Sequence, residues 1–209
     1  MKYFRTPHLP WSVGGTADDV RLIDVSHFDG KNLVYTEKLD GECTVMSRDS
    51  IHARSEDSRY NAPWQTIIKN DVWVPIKHDI PEGMFICGEN VYAKHSIEYD
   101  NLTSYFYVFG IVYFDTVLSW KETQEWISLF SLHTVPILKV SLDKKVENIG
   151  IPKYSWVGTQ CEGYVVRNIE AFNTLDFNKN VAKCVRENHV QTDEHWTKTW
   201  TPNTLRRSS

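Results

Sequence analysis

The sequence predicts one mixed α/β domain dominated by strands, and three observations carry that expectation. Short apolar or alternating runs recur at residues 34–45, 51–55, 84–89, 105–113, 135–140, 163–167 and 181–186. They are rich in the β-branched and aromatic residues that suit a pleated, half-buried surface. Helical spacing is confined to a few short stretches. Finally, no internal repeat, low-complexity tract or linker divides the 209 residues, a length that supports one substantial core but not two full-sized domains.

The first thirty residues carry the turn formers Pro7, Pro10, Gly14, Gly15, Asp29 and Gly30, and read as an irregular lead-in with at most short elements. Residues 34–45, V-Y-T-E-K-L-D-G-E-C-T-V, read as strand–turn–strand. Lys38 and Asp40 sit at the tip beside the turn glycine Gly41. A lysine on a strand next to a tight turn can be held rigidly in a pocket, as a nucleophile or a phosphate contact. Taken alone, K-x-D-G is a weak signal, and the plainer reading is an ordinary surface charge on a solvated hairpin tip. Residues 51–55 form another short strand ending in a polar loop. Pro63, Trp64, Ile67 and Ile68 have helical spacing with proline in the first turn, and Pro75 and Pro81 break the chain beyond this helix. Residues 84–89 and 105–113 are buried strands.

The clearest helix spans residues 119–130, where Ser119 and Glu122 make a capping box ahead of Trp126, Leu129 and Phe130. Residues 163–167 and 181–186 supply the last strands. In the tail, Thr192 or Asp193 can cap a short helix that lays Trp196 and Trp200 on the body of the protein.

Composition narrows the function classes. No apolar run reaches membrane-spanning length and the first residues are not a signal peptide, which points to a cytosolic protein without membrane partners. Cys43, Cys87, Cys161 and Cys184 are far apart and form no C-x-x-C pair, so a zinc site or disulfide framework has little support. The formal charge of −4 argues against extensive sequence-independent nucleic-acid contact but leaves room for a local basic groove.

Charged or polar residues on otherwise apolar strands are costly unless they are paired or face a cavity. Arg54, Glu89, Glu162 and Lys183 are such residues, and with Lys38 they could meet in one cleft. The ordered set E-K-L-D-G, A-R-S, C-G-E-N-V-Y, Y-V-F-G-I, E-G-Y-V-V-R and V-A-K-C-V-R resembles the six collinear motifs of the covalent nucleotidyltransferases. That superfamily comprises ATP-dependent DNA ligases, RNA ligases and mRNA-capping guanylyltransferases. G-E-N-V-Y-A-K-H-S-I and A-K-C-V-R-E-N-H-V look most like bacteriophage-type RNA ligases.

The resemblance implies an α+β, ATP-grasp-like nucleotidyltransferase domain of antiparallel sheets flanked by helices, over residues 1–190. Residues 191–209 would form a tail, with no appended OB-fold. It implies that Lys38 takes AMP from ATP as a lysyl phosphoramidate, with Asp40 in the same catalytic motif. Arg54 would contact the ribose or the RNA end, Glu89 a ribose hydroxyl, Phe109 the adenine face and Lys183 the α-phosphate. Glu162 and Glu89 would organise Mg2+ or Mn2+, since hard cations prefer oxygen, and Thr36 and Glu37 would surround the purine edge. The partner implied is RNA with 5′-phosphate and 3′-hydroxyl ends, in the cytoplasm or, for a phage-encoded chain, in that of the host. A DNA ligase or capping-type guanylyltransferase is the same-class alternative. A non-catalytic adenylate or RNA-end binding module is the alternative of another class.

Elementary chemistry adds one expectation. A lysine amine attacks only when unprotonated, so burial and the nearby Lys183 cation are expected to disfavour the charged form of Lys38. Two departures from the family pattern stand out. Its last motif usually reads K-x-K, whereas here Lys183-Cys184-Val185-Arg186 offers one lysine and then an arginine. Arg186 neighbours the missing position and is counted among the nucleotide-binding candidates, although strand alternation would turn it away from Lys183. Many relatives also carry aspartate where this chain has Gly110. In the tail, His189, Gln191, His195 and Lys198 are further candidates, and His95 lies near the Glu89 motif.

Overall fold

Two sheets, joined by the chain at residues 39–41, frame the molecule. The computed structural model describes residues 1–15, 19–55, 60–143, 145–187 and 200–206. In chain order the strands are β1 (Leu33–Lys38), β2 (Glu42–Met46), β3 (Ile51–Ala53), β4 (Met84–Asn90), β5 (Phe106–Tyr113) and β6 (Thr116–Val117). They continue with β7 (His133–Thr134), β8 (Ile137–Ser141), β9 (Gly163–Asn168), β10 (Phe172–Asn173) and β11 (Val181–Val185). The smaller sheet runs β11-β9-β1-β8 and the larger β10-β6-β5-β4-β2-β3. All pairings are antiparallel except that of β7, which adds to β5 in parallel.

Residues 34–45 form two strands, as expected, but not a hairpin. β1 pairs with β8 and β9, while β2 pairs with β3 and β4. The cause lies in β1 itself, where Leu33, Val34 and Tyr35 are fully buried. A run that is apolar on both faces belongs in the middle of a covered sheet, not on a solvated tip. The K-x-D-G turn therefore bridges the two sheets, which carries Lys38 into the cleft between them.

Three layers of core hold the sheets. The outer face of the larger sheet packs Met46, Ile86, Phe106 and Ile111 against helical residues Ile68, Trp73, Ile127 and Phe130. The smaller sheet covers its back with Tyr35, Tyr164 and Cys184 against Leu9 and Phe28. Between the sheets lie Val45, Cys87, Val112, Phe177 and Val181. Helix α1 (Pro63–Ile68) does not stop before Pro75 as expected. It widens into a π-helical segment (Lys69–Trp73), with the Val74 N–H reaching the Lys69 carbonyl, and ends as α2 (Val74–Ile76). The wider turn accommodates a proline that has no N–H for the ladder. Helix α3 (Trp120–Leu129) starts as read, with the Glu122 N–H donating to Ser119 Oγ at 3.2 Å and Glu122 Oε2 accepting from the Ser119 N–H at 2.9 Å.

The lead-in is irregular but not peripheral. The Leu9 N–H donates to the Lys183 carbonyl and the Lys183 N–H to the Pro7 carbonyl, both at 2.8 Å, so this segment lies along the outer edge of β11. The Arg21 guanidinium clamps it by donating to the carbonyls of Leu9, Ser12 and Gly14. At the other end, residues 200–206 are extended and bridge Ala93 to Pro202 and Leu102 to Leu205. The proposed tail helix lies outside the described residues, as do His189, Gln191, His195 and Lys198. All four cysteines are free. Among the described residues no helix is long and apolar enough to cross a membrane.

Candidate active site

Strand register decides which side chains meet. Lys38 ends β1 directly opposite Gly163 of β9, and Thr36 lies opposite Val165, which in turn faces Lys183 on β11. Thr36 and Lys38 are two apart and share one face of the sheet. A side chain at Gly163 would put its Cβ 2.0 Å from the Cys184 carbonyl oxygen. Only glycine lets β9 and β11 close here, which brings Glu162 behind the nucleophile candidate. Lys38 Nζ donates to Glu162 Oε2 at 2.6 Å.

Gly41 has a similar reason. Its Cβ would meet the Asn90 carbonyl oxygen at 2.4 Å, so the turn presses against β4, and the Gly41 N–H donates to Glu89 Oε1 at 3.1 Å. Asp40, expected in the catalytic set, also ties the turn to the loop after β4. Its Oδ2 accepts from the N–H groups of Ser96 and Ile97 at 2.8 and 3.0 Å.

A cavity of about 270 Å³ between the sheets is lined by Thr36, Lys38, Arg54, Glu89, Phe109 and Lys183, among others. Phe109 reaches it through a β-bulge: Cys87 pairs with Gly110 and Gly88 with Val108, leaving Phe109 as the extra residue. Bulges re-aim side chains in this way. Glu37 contributes to the wall, but its Oε2 accepts from the Trp156 N–H at 3.0 Å, and burial pushes its carboxyl up. Arg186 does not line the cavity. It lies just past the end of β11, and its Nε and Nη2 are buried without a hydrogen-bond partner among the described residues.

The cavity also contains residues that sequence reasoning missed. Tyr3, Phe4, Arg5, Asp19 and Arg167 line it. The first four come from the lead-in, where turn formers gave no periodic signal. Arg167 did carry one, as an arginine closing the apolar run Y-V-V-R.

The charges do not act on Lys38 as expected. Burial alone would lower its pKa, but Glu162, Glu89 and Asp40 outweigh burial and hold the amine protonated, well above the ordinary lysine range. Glu162 and Glu89 are themselves pushed up, chiefly by burial, with Lys38 opposing; Glu89 reaches about 8. Burial and the Lys38 charge lower Lys183, opposed by Asp19, whose Oδ1 is 3.5 Å from Nζ.

The Glu89 shift has a consequence for stability. Its folded pKa of about 8 lies above its ordinary 4.5, so between those values the folded chain holds a proton that the unfolded chain has released. Stability therefore falls as pH rises through that window. Glu89→Gln is expected to melt higher than wild type at pH 8 and about equally at pH 5, measured by thermal unfolding without divalent ions. An equal gap at both pH values would remove Glu89 as the source.

Arg167 is 4% exposed and makes no ion pair with a carboxylate among the described residues. Its Nε donates to the Asn168 carbonyl at 3.0 Å and its Nη2 to the Leu118 carbonyl at 2.7 Å. Trp120 and Phe172 flank it at 5.5 and 5.6 Å. A Cβ on Gly110 would sit 3.7 Å from Arg167 Nη1, with no nearer heavy atom. Gly110→Asp is thus expected to give this guanidinium its missing partner and to stabilise the fold by about 1–2 kcal/mol. Chemical denaturation of Gly110→Asp beside a Gly110→Ala control measures this, and an aspartate variant no more stable than the alanine variant would count against it.

The RNA ligase family profile matches residues 31–185, from just before β1 to the end of β11. This chain belongs to the RNA ligase family. The match spans the nucleophile candidate and both glutamates. As a member of that family, the chain also shares its fold with solved structures of the Naegleria gruberi RNA ligase. The structure of that enzyme with pyrophosphate superposes with a TM-score of 0.56 at 21% identity, covering 77% of this chain and 51% of that one. A glutamate-to-alanine variant with ATP and Mn gives 0.55 at 18% identity, covering 80% and 53%. This RNA ligase family chain thus spans about half the length of the solved chains it matches. No curated protein matches.

Proposed function

We propose that this chain is an ATP-dependent RNA ligase built on a nucleotidyltransferase domain, which carries AMP covalently on Lys38. The observation that supports it most is the convergence of six separated sequence motifs on one cleft, with the Lys38 amine 2.6 Å from Glu162 and Lys183 on the same cavity wall. Family membership and the ATP-bound Naegleria enzyme point the same way.

In the first step Lys38 loses a proton, for which Glu162, with its raised pKa, is placed as acceptor. The neutral amine forms a bond to the α-phosphorus of ATP as the bond to pyrophosphate breaks, and the amine nitrogen passes its second proton to the departing pyrophosphate or to water. Lys183 neutralises charge on the phosphate oxygens. AMP then passes to an RNA 5′-phosphate, and a 3′-hydroxyl displaces it to seal the strand. Phe109 offers the base a stacking face but does not read its identity, and Arg54 stands at the cavity wall for the ribose or RNA end.

Glu89 and Glu162 fit a divalent cation. Both are oxygen donors, and burial resists their ionisation, which a cation would relieve. Among the described residues no group of three His, Cys, Asp or Glu could hold a metal alone, so phosphate oxygens and water would complete the shell. When bound, the cation would stabilise charge on the phosphates.

The test incubates the protein with α-labelled ATP and Mg2+ or Mn2+ and looks for label on the denatured chain. Labelled GTP and a comparison of RNA with DNA nicks separate a capping-type enzyme or a DNA ligase. No label from ATP overturns the reading.

A further inference from the structure

We propose that the segment ahead of Pro7 is an intramolecular gate on the nucleotide pocket, with Tyr3 holding the face of Phe109 until a nucleotide displaces it. This rests on Phe109 being the base-stacking surface. The Tyr3 and Phe109 ring centroids are 5.0 Å apart and tilted by 57°. That is direct ring contact, leaving no room for a base between them. Phe109 also packs against the core cluster that contains Val135 and Tyr107.

Tyr3 is held by more than one ring. It meets Phe177 edge-on at 5.7 Å, and Phe4 stacks on Phe177 at 4.6 Å. The Tyr3 carbonyl accepts from Arg54 Nε at 3.4 Å. The Asp19 carboxylate, further along the lead-in, engages Lys183. Three motif residues (Arg54, Phe109 and Lys183) thus have lead-in groups where a nucleotide would be bound. Tyr3 is held by side-chain packing more than by main-chain pairing. The chain is anchored to β11 through the main chain at Pro7, while Tyr3 packs on the core between the sheets, meets the rings of Phe4, Phe109 and Phe177, and accepts the Arg54 hydrogen bond. Lys2 and Arg5 beside it are exposed. Such a segment can swing about Pro7 without breaking a strand.

A gate of this kind weakens apparent affinity by the fraction of molecules whose pocket is open. Removing one aromatic contact should therefore tighten nucleotide binding by about three- to tenfold. Calorimetric titration with AMP is expected to show this for Tyr3→Ala, with Tyr3→Phe binding as wild type does. Unchanged or weaker binding by a folded Tyr3→Ala overturns the gate while leaving labelling of Lys38 by ATP intact. Trypsin provides a second measurement on the wild-type chain. Cleavage after Lys2 and Arg5 should quicken when AMP saturates the protein, and unchanged or slower cleavage overturns the gate. If neither wild type nor variant binds AMP, both the gate and the nucleotide reading fall.

Discussion

Lys38→Ala is expected to take up no label from α-labelled ATP, a loss on the order of a thousandfold or more, because the acceptor atom of the covalent bond is gone. The substitution also has a structural cost. Glu162 is 3% exposed and bonded to Lys38, so truncating the lysine leaves a buried carboxylate unpaired, at about 3–5 kcal/mol if it stays ionised. Burial already raises the Glu162 pKa, and without Lys38 it rises further. The folded state then gains a proton that the unfolded state lacks, so the deficit should shrink as pH falls towards the ordinary carboxylate range. Lys38→Arg separates the two effects. A guanidinium keeps a cation near Glu162 but does not deprotonate, so this variant should be folded at neutral pH and still unlabelled. Labelling of Lys38→Ala at the wild-type level would place the nucleophile elsewhere.

Much of the frame was legible because it rests on local patterns. The alternation and apolar runs of β1, β4, β5, β9 and β11 mark strands wherever they lie, and the Ser119–Glu122 capping box marks the start of α3. Residues 34–45 show where local pattern stops. Their strands were plain, but pairing depends on which partners cover β1, and distant β8 and β9 won over adjacent β2. The same limit applies within the site. Lys38, Glu89, Glu162 and Lys183 were legible as charges on apolar strands, and the register does bring them together. Their electrostatic balance was not. The sequence suggested that Lys183 would disfavour the charged form of Lys38, whereas Glu162, Glu89 and Asp40 keep it charged. Phe109 owes its orientation to an extra residue in β5, invisible until strands are paired. The lead-in carried no periodic signal, yet it contributes Tyr3, Phe4, Arg5 and Asp19 to the cavity through contacts more than a hundred residues apart in sequence.

Lys183→Ala is expected to slow labelling of Lys38 by on the order of a hundredfold or more, the range for preorganised groups that stabilise transition-state charge. The fold should survive it. The Lys183 side chain is 19% exposed and its ion pair with Asp19 is a long 3.5 Å, whereas β11 is tied in by main-chain pairing that the substitution leaves alone. A second effect adds to the first. The Lys183 and Lys38 charges disfavour each other, so losing one makes the other harder to deprotonate, and the wild-type rate should be approached more closely at alkaline pH than at neutral pH. Arg186 is not placed to substitute for Lys183, because it lies past the end of β11 and is not among the cavity-lining residues. Rapid-quench labelling of Lys183→Ala across pH, with AMP titration to separate binding from chemistry, measures both effects. Near-normal labelling at neutral pH would mean that the charge on the transferring phosphate is met by another cation, for which Arg54 and Arg5 line the same cavity.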